Sequence, residues 1–367
     1  MAYTTIDDPS EYFHIQLYTG NGSTNSITND ANAGDFKPDW VWVKTRNATR
    51  NHNTYDSSRG VTKAFEVNSP PAETTVPAGL TSFDTDGFTV GSDSNVNQGS
   101  INIVAWQWKA NGGTTSSNTD GSITTTVQAN TTAGFSIVTY TGNATDNATI
   151  GHGLGATPEW VLIKNRASST DWAIGHKSIF GNNAENLRFT TGAAASAGDA
   201  AGSHFSRNAP SSTVITLGDG GDGDFSTDTN RAENHVAFCF TSIKGYSKFS
   251  SYIGNGANDG PFVYTGFKPA WVMTKRTDST SNWVMHDNTR DPLNESLSNN
   301  NGSNARKNLY ANLDNAEDSS RGVNFYSNGF KVEAASSDVN NSGSTYIYMS
   351  FAEHPFVSSE GVPVTAR

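Results

Sequence analysis

The sequence predicts an all-β protein built as three tandem β-sandwich domains. Composition is the first reason. Of 367 residues only 34% are hydrophobic and 16% charged, while Gly (35) and Asn (39) are abundant and aromatics reach 11%, with 8 Trp and 19 Phe. A disordered chain would be poor in aromatics, and a helical one would be rich in Ala, Leu, Glu and Lys. Many short strands joined by polar turns, with large aromatics filling thin cores, fit instead. The second reason is an internal repeat of about 110 residues. That period is too long for solenoid units or propeller blades, which run about 20–50 residues. It suits one small sandwich per copy.

Each copy opens on a short motif: Tyr18-Thr19-Gly20-Asn21-Gly22, Tyr140-Thr141-Gly142-Asn143 and Tyr252-Ile253-Gly254-Asn255-Gly256. A Pro and an apolar run follow: Pro38-Asp39-Trp40-Val41-Trp42-Val43-Lys44, Pro158-Glu159-Trp160-Val161-Leu162-Ile163-Lys164 and Pro269-Ala270-Trp271-Val272-Met273-Thr274-Lys275. The Pro suits the entry to a strand, where its missing N–H does least harm. Arg46, Arg166 and Arg276 come just after each Lys, and Trp172 and Trp283, with His52 in the first copy, lie fourteen residues after the Pro. Alternation sends Trp40, Trp42 and Lys44 to one face and Val41 and Val43 to the other; one face is expected to be core and the other either the sheet surface or a sheet–sheet contact, and Trp40, Trp42 and Lys44 are not all expected to be buried.

A Gly-Phe signature, Gly87-Phe88 and Gly329-Phe330, precedes the last strand in copies one and three; Thr213–Leu217 takes its place in copy two. The closing strands are Ile103–Trp108, His235–Phe240 and Tyr346–Phe351. Trp106, Trp108, Phe238, Phe240, Met349 and Phe351 form their inward rows, with Ala105 and Ala237 pointing away. With Trp40, Trp160 and Trp271, these give the expected structural core: Trp40, Trp160, Trp271, Trp106, Trp108, Phe238, Phe240 and Phe351. The expected organisation is a first sandwich over 1–110 with a short N-terminal arm, a flexible linker at 111–120, sandwiches over 121–244 and 245–357, and a C-terminal tail at 358–367. Lacking a spacer, the second and third copies are expected to couple most tightly. The small-residue insertion Thr191–Gly198 reads as an exposed loop.

The net charge is -11, and Lys and Arg form no run. Nucleic-acid binding by phosphate neutralisation is therefore not expected. No apolar stretch approaches the roughly 18–20 residues of a membrane helix, so no membrane insertion is expected. The segment Met1–Asp8 lacks the basic and apolar regions of a secretory signal. One cysteine, Cys239, excludes an internal disulfide framework.

No catalytic signature is present: no His-Glu-x-x-His, no Gly-x-Ser-x-Gly and no cysteine pair for zinc. Glycoside hydrolysis needs two carboxylates flanking the bond, and no strand carries an alternating acidic row. Gly151-His152-Gly153-Leu154-Gly155-Ala156 superficially matches a dinucleotide fingerprint, but Pro158 and a β-type run follow where a helix is required. The expectation is not an enzyme and no cofactor. The candidate metal site is Asp219, Asp222 and Asp224, three carboxylates on a glycine loop that could hold calcium through hard oxygens; an acidic hairpin loop is the alternative. The Lys-x-Arg positions offer either a ligand platform with Trp or an internal strut, with Arg46 or Arg166 bridging to an acid such as Asp56. Recurrence in every copy favours the strut.

The motifs Tyr18–Gly22, Gly151–Pro158, Trp160–Arg166 and the ending Tyr346–Phe356 resemble repeats in uncharacterised virion proteins of marine tailed phages, cyanophages especially. The resemblance spans residues 11–357. Those domains are similar to concanavalin-like, jelly-roll and SPRY-like sandwiches, and the resemblance carries no catalytic residues. It implies a non-catalytic structural protein on the exterior of the phage particle, a fibre, spike or head decoration. Its implied partners are other virion proteins, further copies of itself in a homo-oligomer, and host-surface glycans. A purely structural cement or adaptor and a polysaccharide-degrading tail enzyme are the alternatives.

Overall fold

The computed structural model describes residues 2–30, 34–181, 186–197, 202–221, 225–292, 297–298 and 304–364. The fold is all-β, made of antiparallel sheets with only short helical turns. In the first repeat the main sheet runs Phe13–Thr19, Asn102–Trp108, Trp40–Thr45, Asn53–Asp56, Lys63–Glu66 and Thr74–Thr75. The third repeat has the same order: Ser247–Ile253, Thr345–Pro355, Phe267–Arg276, Val284–Asp287, Lys307–Tyr310 and Asp318–Ser319. The second has seven strands, because Ser116–Asn118 and Thr125–Asn130 extend the edge beside Phe135–Thr141. A small second sheet covers one face of each. It pairs Asn25–Ile27 with Gly87–Val90, Thr149–Gly151 with Val214–Thr216, and Phe262–Tyr264 with Gly329–Val332.

The strand registers set equivalent residues of the three copies in equivalent pairings. Trp40 pairs with Trp108 and Asp56, Trp160 with Phe240 and His176, and Trp271 with Phe351 and Asp287. The opening strands place Phe13, Phe135 and Ser247 opposite those same closing residues. Pro38 and Pro158 precede their strands, whereas Pro269 lies inside one, at a register shift of the ladder, where a missing N–H is tolerated.

The opening motif has a physical explanation. Its Tyr hydroxyl donates to the Val96, Thr229 or Val339 carbonyl at 2.6–2.8 Å. The backbone N–H of its Asn is received by the side-chain oxygen of a fully buried Asn, Asn97, Asn230 or Asn340. Its Gly permits the close crossing of these segments: a Cβ on Gly20 would stand 2.1 Å from the Gln98 carbonyl oxygen, and one on Gly142 would stand 2.2 Å from that of Arg231.

The other face of each main sheet corrects the sequence expectation. All six positions of Trp40–Thr45 are buried, Lys44 included. The valine face packs under its own small sheet with Phe88, Val90 and Ala105. The tryptophan face packs against the other two repeats. One apolar cluster joins Trp40, Trp42, Trp106 and Trp108 to Trp160, Phe238 and Phe240 and to Trp271, Met349 and Phe351. Ring contacts close this triangle on every side. Trp40 stacks on Phe238 at 4.6 Å, Trp108 meets Trp271 at 6.0 Å, and Phe240 meets Phe351 at 5.9 Å. The aromatic rows therefore point inward to a centre shared by three sheets, not into separate sandwich cores. Trp40, Trp160, Trp271, Trp106, Trp108, Phe238, Phe240 and Phe351 are each at most 1% exposed. Offset and edge-on aromatic pairs of this kind contribute about 0.5–1.5 kcal/mol each beyond burial.

The stretch 111–120 differs from the flexible spacer expected. Ser116–Asn118 is a strand, and the N–H groups of Asn111, Gly112 and Gly113 are all received by side chains. The N-terminal arm belongs to the body as well: Ile6 is buried in the shared cluster, and Asp7 accepts the Ser359 N–H at 2.7 Å.

Candidate functional site

The Lys and Arg that recur after each Trp strand are where chemistry was sought. Each buried lysine donates to a carbonyl of a neighbouring repeat. Lys44 reaches Asp314, Lys164 reaches Pro70 and Lys275 reaches Gly192, at 2.8–3.2 Å. The three donations run in one cyclic sense, from repeat one to three, three to two and two to one. Burial brings the three ammonium groups down to about 8. The arginines work beside them. Arg46 forks onto both Glu317 oxygens at 3.0 and 3.1 Å, and Arg166 onto both Glu73 oxygens at 2.9 and 3.1 Å. Both are struts, but between repeats and to glutamates; the acid expected as a partner, Asp56, pairs instead with buried Arg59. Trp172 and Trp283 also cross the seams, donating to the Glu66 and Arg188 carbonyls at 3.0 Å.

The third clasp is made differently. Arg276 pairs within its own repeat with Asp278. The insertion after Thr191, expected to be an exposed loop, binds across the seam: Gly192 O accepts Lys275 Nζ and Ser281 N–H, and Ala195 N–H is received by Thr277 O.

Other sequence candidates resolve locally. Asp219 is described, and its carboxylate caps Gly221 N–H at 2.9 Å and Ser226 Oγ at 2.7 Å; Asp222 and Asp224 lie outside the described residues. Among the described residues no group of three His, Cys, Asp or Glu stands ready for a metal ion. Gly151-His152-Gly153 continues from a strand into a turn and then into strand Trp160–Asn165, with no helix to present N–H groups. Burial drives the imidazoles of His176 and His286 down to about 3 and that of His235 to about 4, and pushes the Cys239 thiol up to about 12. These groups sit inside the fold as neutral residues.

What remains is at the seams, on the end of the body where the closing strands finish. Strand registers place Asp39, Glu159 and Ala270 at one equivalent position, Ser57, Lys177 and Asn288 at a second, and Ser136, Lys248 and His14 at a third. They meet at two seams: Glu159 and Lys177 with Lys248 at one, and Ala270 and Asn288 with His14 at the other. Between repeats one and two the chain itself occupies the space. Asp39 accepts the Ala110 and Gly112 N–H groups at 2.8 Å, and Gln128 binds Ser57, Ser58 and the Gly113 N–H. Between repeats three and one a cleft of 470 Å³ is lined by Asp8, Asp30, His14, Asn288, Glu353 and His354.

Between repeats two and three a cleft of 340 Å³ is lined by Lys177, Lys244, Lys248, Glu159, Tyr3 and Tyr264. Lys244 Nζ lies 4.3 Å from the Tyr3 ring centroid, and Lys248 Nζ lies 5.2 Å from that of Tyr264. Burial lowers the Lys248 ammonium, and the charge of Lys177 lowers it further; Glu159 partly compensates. Tyr3 is fixed by donating to Gly266 O at 2.7 Å. Gly266 is at φ +88°, and a Cβ there would stand 2.9 Å from the Tyr3 hydroxyl, so both conformation and space require glycine. Cations, ring faces and a carbonyl-anchored tyrosine can hold an anionic ligand with an apolar face. Sequence reading missed this cleft, since Lys177 lies in one repeat and the Lys244–Lys248 segment leads into the next, and only the seam brings them together.

No protein of curated function matches the chain. The model of a domain of unknown function, DUF7483, matches residues 8–355, a single span across all three repeats. The chain belongs to the DUF7483 family.

Proposed function

We propose that the protein is a non-catalytic structural component of a tailed-phage particle, displayed on its exterior. The observation that carries this reading is the cyclic clasp. The recurring Lys and Trp side chains and two of the three Arg, the best chemical candidates in the sequence, are committed to locking three repeats around one aromatic centre. A body built this way offers rigidity and a broad polar surface. The resemblance of its motifs to phage virion repeats supports the particle as the setting. The acidic net charge of -11 keeps unassembled subunits soluble, and display in many copies would multiply weak single-site contacts. Gold-labelled antibody applied to intact particles is expected to decorate their outside. Label confined to infected-cell cytoplasm, or turnover of a polysaccharide by the purified protein, would overturn the proposal.

A further inference from the structure

We propose that the cleft between repeats two and three binds a carboxylated saccharide, an oligosaccharide whose rings carry uronate-type carboxylates. This deepens the reading above by naming a ligand class. It is measured on purified chain, so either idea can fail without the other.

Charge is the first argument. In a protein of net charge -11, this cleft gathers Lys177, Lys244 and Lys248 against Glu159 alone. Glu159 is engaged by Lys177 at 3.2 Å and by the Ser242 hydroxyl; Lys248 donates one hydrogen to the Tyr264 carbonyl at 2.7 Å, and its remaining donors, with Lys244, face an incoming carboxylate. Shape and surface come second. Strand Phe262–Tyr264 turns Val263 inward at 7% exposure and leaves Phe262 and Tyr264 outward at 47% and 51%. Tyr264 thus joins Tyr3 at the cleft while Phe262 extends the aromatic strip. Flat rings beside ammonium groups match a sugar, whose C–H face stacks on an aromatic while its carboxylate takes the charge. The cleft volume falls within the range of small-ligand sites, about 300–1,000 Å³.

Asymmetry is the third argument. A feature needed for folding recurs in all three copies, as the clasp lysines do. The cationic positions do not: Lys177 is matched by Ser57 and Asn288, and Lys248 by Ser136 and His14. A nucleic acid would also seek lysines and rings. However, the sequence holds no Lys or Arg run to carry a phosphate backbone onward.

The test is calorimetric titration of the whole chain with a tetrameric oligouronate, an uncharged tetrasaccharide and a short single-stranded oligonucleotide. The oligouronate is expected to bind at least tenfold more tightly than the uncharged sugar. Lys244→Glu and Tyr264→Ser, both at exposed positions, are each expected to weaken it tenfold or more. Lys63→Glu makes the same charge change on repeat one, away from the cleft, and should alter affinity less than twofold. Absence of oligouronate binding at millimolar concentration would overturn the proposal. So would equal binding of the neutral sugar, equal loss in Lys63→Glu and Lys244→Glu, or tighter binding of the oligonucleotide.

Discussion

Two of the three seams add part-buried ion pairs to their backbone hydrogen bonds and the third carries none among the described residues, and the contrast shows how one duplicated sheet was adapted. Where repeat two grips repeat one, Arg166 holds Glu73, which also binds buried Arg59 at 3.1 Å. Where repeat one grips repeat three, Arg46 holds Glu317, which binds buried Arg290 at 3.2 Å. Arg59 and Arg290 are anchored in turn by Asp56 and Asp287. Repeat two carries His176 and Ile179 where the other repeats carry that Asp and Arg. At these two positions it has no ion pair to offer, and the glycine-alanine insertion supplies hydrogen bonds across the seam instead. A buried charge network and a short backbone ladder thus do the same task. The first ties stability to pH and to both partners being intact; the second does neither.

The largest effect should come from breaking a buried pair. Arg290→Ile leaves Asp287 buried and uncompensated and is expected to cost about 3–5 kcal/mol in denaturant unfolding. Adding Asp287→His, which installs the pair found in repeat two, should recover most of that loss. A single variant costing less than about 1 kcal/mol would mean that the network is not what holds the seam.

Removing the shared acid comes next. Glu73→Gln and Glu317→Gln should each cost about 1–3 kcal/mol, because charged hydrogen bonds to arginine weaken at a part-buried site. The corresponding change in the third seam, Asp278→Asn, breaks a pair whose acid is 44% exposed, and should cost about 1 kcal/mol or less. Equal losses at all three seams would erase the contrast.

Acid separates the seams without mutation. Burial alone would raise the Glu73 and Glu317 carboxyls, but hydrogen bonds and charge from Arg166 and Arg59, and from Arg46 and Arg290, hold both below the usual glutamate range. A carboxyl lowered on folding adds stability above its unfolded value, near about 4.3, and loses it as pH falls through the folded value. Stability should therefore drop below about pH 4.5, and the Glu73→Gln/Glu317→Gln double variant should fall less steeply there.

A further effect lies at alkaline pH and is common to all seams. Lys44, Lys164 and Lys275 titrate near 8 in the fold and near about 10.4 when unfolded. The unfolded chain binds more protons between these values, so stability should rise with pH from about 8 until the tyrosines begin to ionise. Lys164→Met should flatten that rise. A profile unchanged by the substitution would show that this ammonium is not desolvated by the clasp.

Much of the local design was legible. The Pro-x-Trp register marked the strands, because alternation and the missing proline N–H are local facts. The Gly-Phe signature and its replacement Thr213–Leu217 were legible as elements recurring before the closing strands, but not as members of a second sheet. The destination of side chains was not legible in the same way. Trp40 and Lys44 share one strand face, and sequence offers no means of telling that two further sheets cover it. Arg46 lies 271 positions from Glu317, and no spacing rule spans that separation. The insertion after Thr191 reads as loop because its composition is that of a loop; its hydrogen bonds come from backbone groups, which carry no sequence mark.

By itself, then, the sequence determined an all-β chain with three copies of one pattern, since period, turn chemistry and aromatic alternation act over a few residues. Tertiary structure decided that the aromatic rows meet at one centre, that Lys closes the seams cyclically with Arg joining it at two of them, and that one seam is filled while another gathers lysines beside tyrosines. The physical reason is range: strand propensity and pleat are set by neighbours in the chain, whereas burial and charge pairing are set by whatever surface the fold brings opposite.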